Sequence, residues 1–175
     1  MLRLRHLKTI NWVIVFLFCS TVAVSQTDEK VAYGLSAMYD FQSNGLGIGA
    51  RAYIPWVEHI AFSPQIAYYP PFNSYHEIYI GGAAQYTFYQ MVNWHWYALG
   101  ALYYDRWFNS DKFEGKVAKP NNIAEELGVG IKRTYDCFQP FAEARYDFKW
   151  KEYSVQVGFM ISFGDCFVPF RCSAY

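Results

Sequence analysis

The chain lacks, after residue 25, any stretch with a sustained helical period of 3.6, so no helix of useful length is expected there. It also lacks a long apolar run. Its oiliest segment, Trp12 to Cys19, is shorter than the roughly 20 residues a helix needs to cross a bilayer. Charge of one sign is not in excess, with 15 Lys+Arg against 15 Asp+Glu. No basic patch is present to release counterions from a phosphate backbone, which excludes a nucleic-acid binder on charge. Histidines and cysteines number four each, and none sits at zinc-ligand spacing. Five residues separate Cys166 from Cys172, while Glu58-His59 and His76-Glu77 are adjacent pairs that would point to opposite faces of a strand. No metal and no cofactor are expected. Low-complexity segments and a second domain are absent as well.

What is present begins with an export signal. Arg3, Arg5 and Lys8 form a basic start, Trp12 to Cys19 an apolar middle, and Ala23-Val24-Ser25 a small-residue cleavage site before Gln26. Residues 1–25 are therefore read as a cleaved signal peptide. Bulky Phe18 argues against Cys19 as a lipoprotein anchor. Removing the signal leaves 12 basic residues against 15 acidic ones, and three cysteines in an oxidising compartment.

From residue 31 to 164 the chain alternates oily and polar side chains. A period of two puts one set on each face of a sheet. Eight such segments follow one another: 31–42, 46–54, 60–69, 76–88, 94–108, 123–133, 138–149 and 153–163. Ser43-Asn44-Gly45 is a hairpin signal of the Asn-Gly type. Pro64 falls inside the third segment and cannot donate to a ladder, so a bulge or weak spot is expected there. The fifth segment is apolar on both faces and its register is open. The favoured facing puts Tyr97, Leu99, Ala101 and Tyr103 outward, with Gly100 and Arg106 inward.

About ten residues and a turn, repeated eight times, is the signature of a membrane barrel. The predicted fold is all-β: an eight-stranded, antiparallel, up-and-down transmembrane barrel over 26–164, with a short periplasmic tail at 165–175. A secreted, lipocalin-like barrel binding an apolar ligand uses the same periodicity with the faces exchanged. Three features favour the membrane. Aromatics gather at strand ends, with Trp56, Tyr86, Phe88, Tyr89, Trp94, Trp96, Tyr135 and Phe138 at one rim. Phe41, Tyr68, Tyr69, Phe72, Tyr75, Trp107, Phe108, Phe148, Trp150 and Tyr153 lie at the other. The polar face is rich in glycine and poor in lysine. Its charges are mixed: Asp40, Arg51, Glu77, Glu126, Lys132, Glu143, Arg145, Asp147 and Lys149. Such charges can neutralise one another across a narrow lumen, and eight strands enclose a space that side chains just fill. No open channel is expected.

The eight segments and the closing run Val157-Gly158-Phe159-Met160-Ile161-Ser162-Phe163 resemble the small outer-membrane barrels of the OmpA/OmpX type. That resemblance implies outer-membrane localisation, insertion by the outer-membrane assembly machinery, contact with outer-membrane lipid and lipopolysaccharide, and an envelope or complex-forming role alongside other outer-membrane or periplasmic proteins. One departure is plain: the family commonly ends at the closing aromatic, whereas residues follow Phe163 here. Some small barrels are enzymes acting on lipid A. His95-Trp96-Tyr97 lacks the His-x-Ser arrangement of the deacylases, and Ser74, His76 and Glu77 would cluster only by accident of register. No catalytic residue is assigned.

An even strand number puts both termini and the turn holding Cys137 at the periplasmic end. A Cys166–Cys172 bridge with Cys137 free is expected, and Cys137 paired with a tail cysteine is the alternative. The longest loop, 109–122, carries Lys112, Lys116 and Lys119 and is the expected extracellular contact surface. The functional expectation is a non-enzymatic structural or accessory barrel. The alternatives are a lipid A-modifying enzyme and the soluble apolar-ligand carrier.

Overall fold

The structure, a computed structural model, describes residues 29–70, 76–108 and 120–162. The signal segment, the loop lysines 112, 116 and 119, and the cysteines 166 and 172 lie outside these residues. Eight strands follow in chain order: β1 (Ala32–Asp40), β2 (Gly45–Val57), β3 (Ile60–Tyr69), β4 (His76–Met91), β5 (Trp94–Phe108), β6 (Asn121–Arg133), β7 (Phe138–Asp147) and β8 (Glu152–Ile161). Each pairs antiparallel with its neighbour, and β8 returns to β1, so no strand edge is left open. Closure removes the unpaired N–H and C=O groups that make a sheet edge sticky in water and untenable in lipid.

The register sets the strand tilt. Ile131, Ala142, Val157, Ala37, Ile48, Tyr68, Ile78, Arg106 and Asn121 are successive cross-strand partners. The path returns to β6 ten residues from its start. A stagger of this size tilts eight strands by roughly 40° to the barrel axis. The two ends differ. At the end bearing residues 29 and 162 the connections are short, at 58–59, 92–93 and 134–137. The opposite end carries the longer segments 70–75 and 109–120 beside the tight turns 41–44 and 148–151. Each of the five tight turns contains one non-glycine residue with positive φ, at Asn44, His59, Val92, Asp136 and Lys151. At Asn44 this is the Asn-Gly hairpin chemistry expected from the sequence.

The two faces are resolved by burial. Leu35, Ile48, Leu127 and Val157 are each more than half exposed, while Arg51, Glu143 and Arg145 are almost wholly buried. The oily set therefore faces out and the polar set fills the lumen. A carrier of apolar ligands needs the reverse arrangement, and that reading is overturned.

Two expectations are corrected, and a third, on Pro64, holds as a weak spot and not as a bulge. Along β5 the facing is opposite to the favoured one. Tyr97, Leu99, Ala101 and Tyr103 are buried in the lumen, and Arg106 is exposed outside. The reason is polar: Tyr97 and Tyr103 carry hydroxyls that reach lumenal charges, and His95 and Asp105 share their parity. Arg106 at the strand end lays its guanidinium 5.1 Å from the Phe108 ring and needs no lumenal partner. Tyr69 and Trp107 likewise leave the outer aromatic belt. Tyr69 is lumenal, and Trp107 stacks on Trp150 at 5.1 Å.

Pro64 produces no bulge, and its pairing with Gly82 is regular. The register shifts occur instead between Pro55 and Val57 and between Thr87 and Tyr89. On its β2 side the ladder skips from Arg51↔Gln65 to Ile54↔Phe62. Ser63 Oγ donates to the Ala52 carbonyl at 2.8 Å. That hydroxyl replaces the N–H which proline lacks.

Candidate functional site: the charged lumen

The centre of the lumen is organised on Glu143, which is wholly buried on β7. Its Oε1 accepts from Arg51 Nη1 on β2 at 2.8 Å and from the Tyr97 hydroxyl on β5 at 2.7 Å. Its Oε2 accepts from Arg145 Nε at 2.9 Å and Nη2 at 2.5 Å. Arg145 Nη1 also reaches the Tyr103 hydroxyl at 2.8 Å and Glu126 Oε2 on β6 at 3.0 Å. Arg51 closes the other side, with Nε donating to Ser63 Oγ at 3.1 Å and its guanidinium 4.4 Å from the Phe141 ring. Three strands, β2, β5 and β7, are thus tied through one carboxylate, and β6 joins them through Arg145. Two arginines against Glu143 and Glu126 leave the centre close to neutral, the condition under which buried charge is tolerated. A neutral layer continues it: Gln156 Nε2 donates to Ser36 Oγ at 2.7 Å and to Gln65 Oε1 at 3.3 Å.

The backbone makes room for this filling by pairing large residues with glycine across the ladder. Tyr97 lies opposite Gly130, where a Cβ would come within 2.5 Å of the Tyr97 ring. Gly47 likewise admits Tyr69, whose ring would stand 2.7 Å from an added Cβ. Such small–large alternation is how narrow barrels are packed.

At the terminal end a second cluster surrounds Lys132. Its Nζ donates to Tyr53 Oη at 2.7 Å and to Glu29 Oε1 at 2.9 Å, and lies 3.9 Å from the Tyr53 ring. Tyr53 Oη in turn donates to Glu29. His95 Nδ1 is 3.4 Å from the same carboxylate. Glu29 precedes β1, so the chain entering the barrel is pinned into its mouth. Burial by itself would raise the Glu29 pKa, but the Lys132 ammonium and the Tyr53 hydroxyl outweigh it and hold the carboxyl below its ordinary value.

The loop end is acidic. Asp40, Glu77, Asp105, Asp147 and Glu152 face it, with Lys149 among them. Trp107 Nε1 donates to Glu77 at 2.6 Å. Asp147 Oδ1 caps the last tight turn, accepting from the backbone N–H of Lys149 at 2.7 Å and of Trp150 at 2.9 Å. Lys149 Nζ reaches Asn122 at 3.0 Å. Glu152 accepts from the Gln42 and Ser43 amides at 2.8 and 2.6 Å, joining two neighbouring turns.

Of the nine charged residues picked from the sequence, eight (Asp40, Arg51, Glu77, Glu126, Lys132, Glu143, Arg145 and Asp147) carry inward parity, and Lys149 falls in the turn after β7. They form three groups and not one network. Sequence reasoning missed Tyr97, Tyr103 and Asp105 because β5 was turned the wrong way. It missed Glu29 because that residue precedes the alternating pattern. The shared parity of His95 and Asp105 was the signal for the first three.

His76 and Glu77 diverge as adjacent strand residues must. Tyr68 Oη lies 2.6 Å from His76 Nδ1 on the outside, and Glu77 points in. Ser74 lies outside the described residues. Among the described residues no three His, Cys, Asp or Glu side chains are grouped to hold a metal ion, and no helix is long and apolar enough to cross a membrane, which leaves crossing by strands untouched. Cys137, in the β6–β7 turn, is disulfide-bonded and not a free thiol. The expected free Cys137 is therefore corrected.

No family model matches the chain, and no curated protein matches it in sequence. Solved structures do match in fold. Neisserial surface protein A is similar at 14% identity and a TM-score of 0.58, over 76% of this chain and 96% of that one. The N-terminal β-barrel domain of Pseudomonas aeruginosa OprF is similar at 13% identity and a TM-score of 0.56, over 75% and 96%. A de novo designed transmembrane β-barrel is similar at 13% identity and a TM-score of 0.55, over 79% and 98%. At these identities the likeness establishes the fold: a closed eight-stranded barrel of the outer-membrane type.

Proposed function

We propose that this chain is a small outer-membrane β-barrel of the OmpA/OmpX kind, exported by a signal peptide cleaved after residue 25. In this reading it is non-enzymatic, serves as a structural or accessory subunit of the envelope or of a larger outer-membrane complex, and has a lumen plugged by its charged side chains. The observation that carries the reading is Glu143. All its accepting capacity is taken up by Arg51, Arg145 and Tyr97, so this carboxylate has no site left to relay a proton or attack a substrate.

The terminal end with short turns faces the periplasm, and the end with longer loops faces outward, as outer-membrane barrels are built. The tail, 165–175, stays periplasmic, and one of its cysteines is the partner of Cys137. Non-reducing peptide mapping should recover Cys137 linked to a peptide containing Cys166 or Cys172. A Cys166–Cys172 peptide would contradict this pairing. Lys112, Lys116 and Lys119 face lipopolysaccharide phosphates, and other envelope proteins are the partners.

Planar-bilayer recording tests the plugged lumen. The reconstituted mature chain should give no stepwise conductance at neutral pH, and reproducible unitary steps would overturn the reading. For the non-enzymatic part, lipid A mass profiles should be unchanged when the gene is deleted.

A further inference from the structure

The described residues hold four arginines, and these divide by face. Arg51 and Arg145 fill the lumen and are ion-paired to Glu143. Arg106 and Arg133 stand on the outer wall, one near each rim. Arg133 closes β6 at the terminal end, opposite Trp94. Its guanidinium lies 5.0 Å from the Trp94 ring and 4.3 Å from the Tyr135 ring. Both rings are partly exposed at the rim, the depth at which aromatic side chains meet headgroups. Arg133 Nε is buried without a hydrogen-bond partner, and the residue makes no ion pair among the described residues, although Asp136 sits in the same turn. Two rings thus hold a planar guanidinium in place and leave its donors unused. A donor shielded from water in this way calls for an acceptor, and the fork of an arginine matches phosphate oxygens.

An apolar hollow of about 760 Å³ begins beside this arginine. Tyr135 exchanges backbone hydrogen bonds with Phe138 at 2.9 and 2.6 Å, and Phe138 stacks on Phe159 at 5.6 Å. Phe138, Pro140 and Phe159 line the near end of the hollow. The β6–β7 register, carried one step past Lys132↔Phe141, sets Pro140 level with Arg133. From Pro140 the wall continues through the cross-strand partners Phe159, Leu35, Ala50 and Ile66, all of which line the hollow. Steps in this sense climb toward the loop end. Four strand spacings of about 4.8 Å, inclined at roughly 40°, rise by about 12 Å. That is half of an apolar band about 25 Å tall. The row therefore climbs from the terminal rim to mid-wall, the depth of one leaflet. A cation at the rim and an oily hollow climbing away from it is a site shaped for one anionic amphiphile.

We infer that Arg133 and this hollow together bind one phospholipid of the leaflet at the terminal end, its phosphodiester on the guanidinium and one acyl chain over Pro140, Phe159 and Ala50. The inference rests on the membrane reading above, in which that end is periplasmic. Phospholipid fills the periplasmic leaflet of an outer membrane and lipopolysaccharide the outward one, so depth and charge select the same occupant. An ionisable group on a lipid-facing wall needs a partner, and a phosphate at headgroup depth is the partner this arginine lacks.

The test uses the full mature chain in detergent micelles, read by native mass spectrometry. Phosphatidylglycerol is the probe, set against a glucosyl-diacylglycerol of identical acyl chains and against lipid A. The wild type should retain phosphatidylglycerol about fivefold more than the glycolipid, the effect of one basic residue at an anionic lipid surface. Arg133→Gln should abolish that preference. Arg106→Gln removes the same charge at the opposite rim and should leave it intact. Ala50→Leu, which fills the hollow from the lipid side, should lower phosphatidylglycerol retention with Arg133 in place. Equal retention of phosphatidylglycerol and glycolipid by the wild type overturns the inference, as does a preference that survives Arg133→Gln or falls equally with Arg106→Gln. Undiminished retention by Ala50→Leu overturns it too. So does an Arg133-dependent preference for lipid A, or a second copy of the chain bound through Arg133 in place of lipid. Heat-modifiable gel mobility, run on every variant, reports the barrel separately, and Ala37→Leu serves if Ala50→Leu loses it. Mobility that persists without a lipid preference condemns only the lipid site, and its absence from the wild type condemns the membrane reading.

Discussion

Glu143 is the residue on which the interior depends most. Removing its carboxylate leaves Arg51 and Arg145 buried side by side with like charge. Breaking a buried pair in this way costs about 3–5 kcal/mol, far more than the pair contributes over a well-packed apolar substitute. Glu143→Ala should therefore lower unfolding stability by that order in urea titrations of the micelle-embedded protein. A loss under about 1 kcal/mol would mean that water or a rearranged Glu126 takes over. Glu29 gives a pH signature. Its carboxyl is held below its ordinary value of 4.5, so its contribution is fully present above that pH and is lost as the pH falls through the lower, folded value. The stability difference between wild type and Glu29→Gln should shrink below pH 4.5. A difference that grows on acidification would contradict the latch.

Among the elements, β3 and β5 show what pattern alone carries. The alternation on β1, β2, β7 and β8 was legible because one parity is oily and the other polar or glycine. Val155, Val157, Phe159 and Ile161 against Ser154, Gln156, Gly158 and Met160 leave little choice. On β5 both parities are oily, so hydrophobicity cannot vote and tyrosine hydroxyls decide. Tyr97 and Tyr103 lie inward because Glu143 and Arg145 are there to meet them, a fact held in other strands and invisible locally. Tyr97→Phe removes one donor from Glu143 and should destabilise by about 1–3 kcal/mol, the cost of an unmet buried group. Had the residue faced lipid, the same change would be neutral.

Pro64 was readable as a defect, a bulge or a weak spot, and the structure shows the second: the ladder to β2 skips there, and the remedy is the side chain next to it. Ser63→Ala takes away the hydroxyl that serves both the Ala52 carbonyl and Arg51 Nε. Amide exchange along β2 and β3 should then rise around residues 52–54 and 62–65, with the rest of the barrel unchanged. Uniform exchange across these strands would show the hydroxyl to be dispensable.

For the whole molecule, the eight-strand count and the antiparallel order were contained in a period-two pattern, while the sense of the two faces was carried by the aromatics at strand ends and the glycine-rich, mixed-charge polar parity. That pattern is strong here because each strand has water-excluding neighbours on one side only. The grouping of the lumen into three layers was not legible. It depends on a ten-residue stagger that brings Arg51, Glu126, Glu143 and Arg145 to one level, and stagger is a property of the closed sheet. The charges could be listed from sequence, but their partners could not. In the proposed membrane setting the oily parity of every strand meets hydrocarbon and the charged parity meets other protein.

A spin-label scan of β8 in reconstituted vesicles tests this most directly. Single cysteines would be placed in turn from Tyr153 to Ile161, with the native cysteines replaced by serine and barrel formation checked by gel mobility. Collision with oxygen, which concentrates in lipid, should peak at Val155, Val157 and Phe159 and fall at Ser154, Gln156 and Gly158. Collision with a water-soluble nickel chelate peaking at Val155, Val157 and Phe159 would contradict the account.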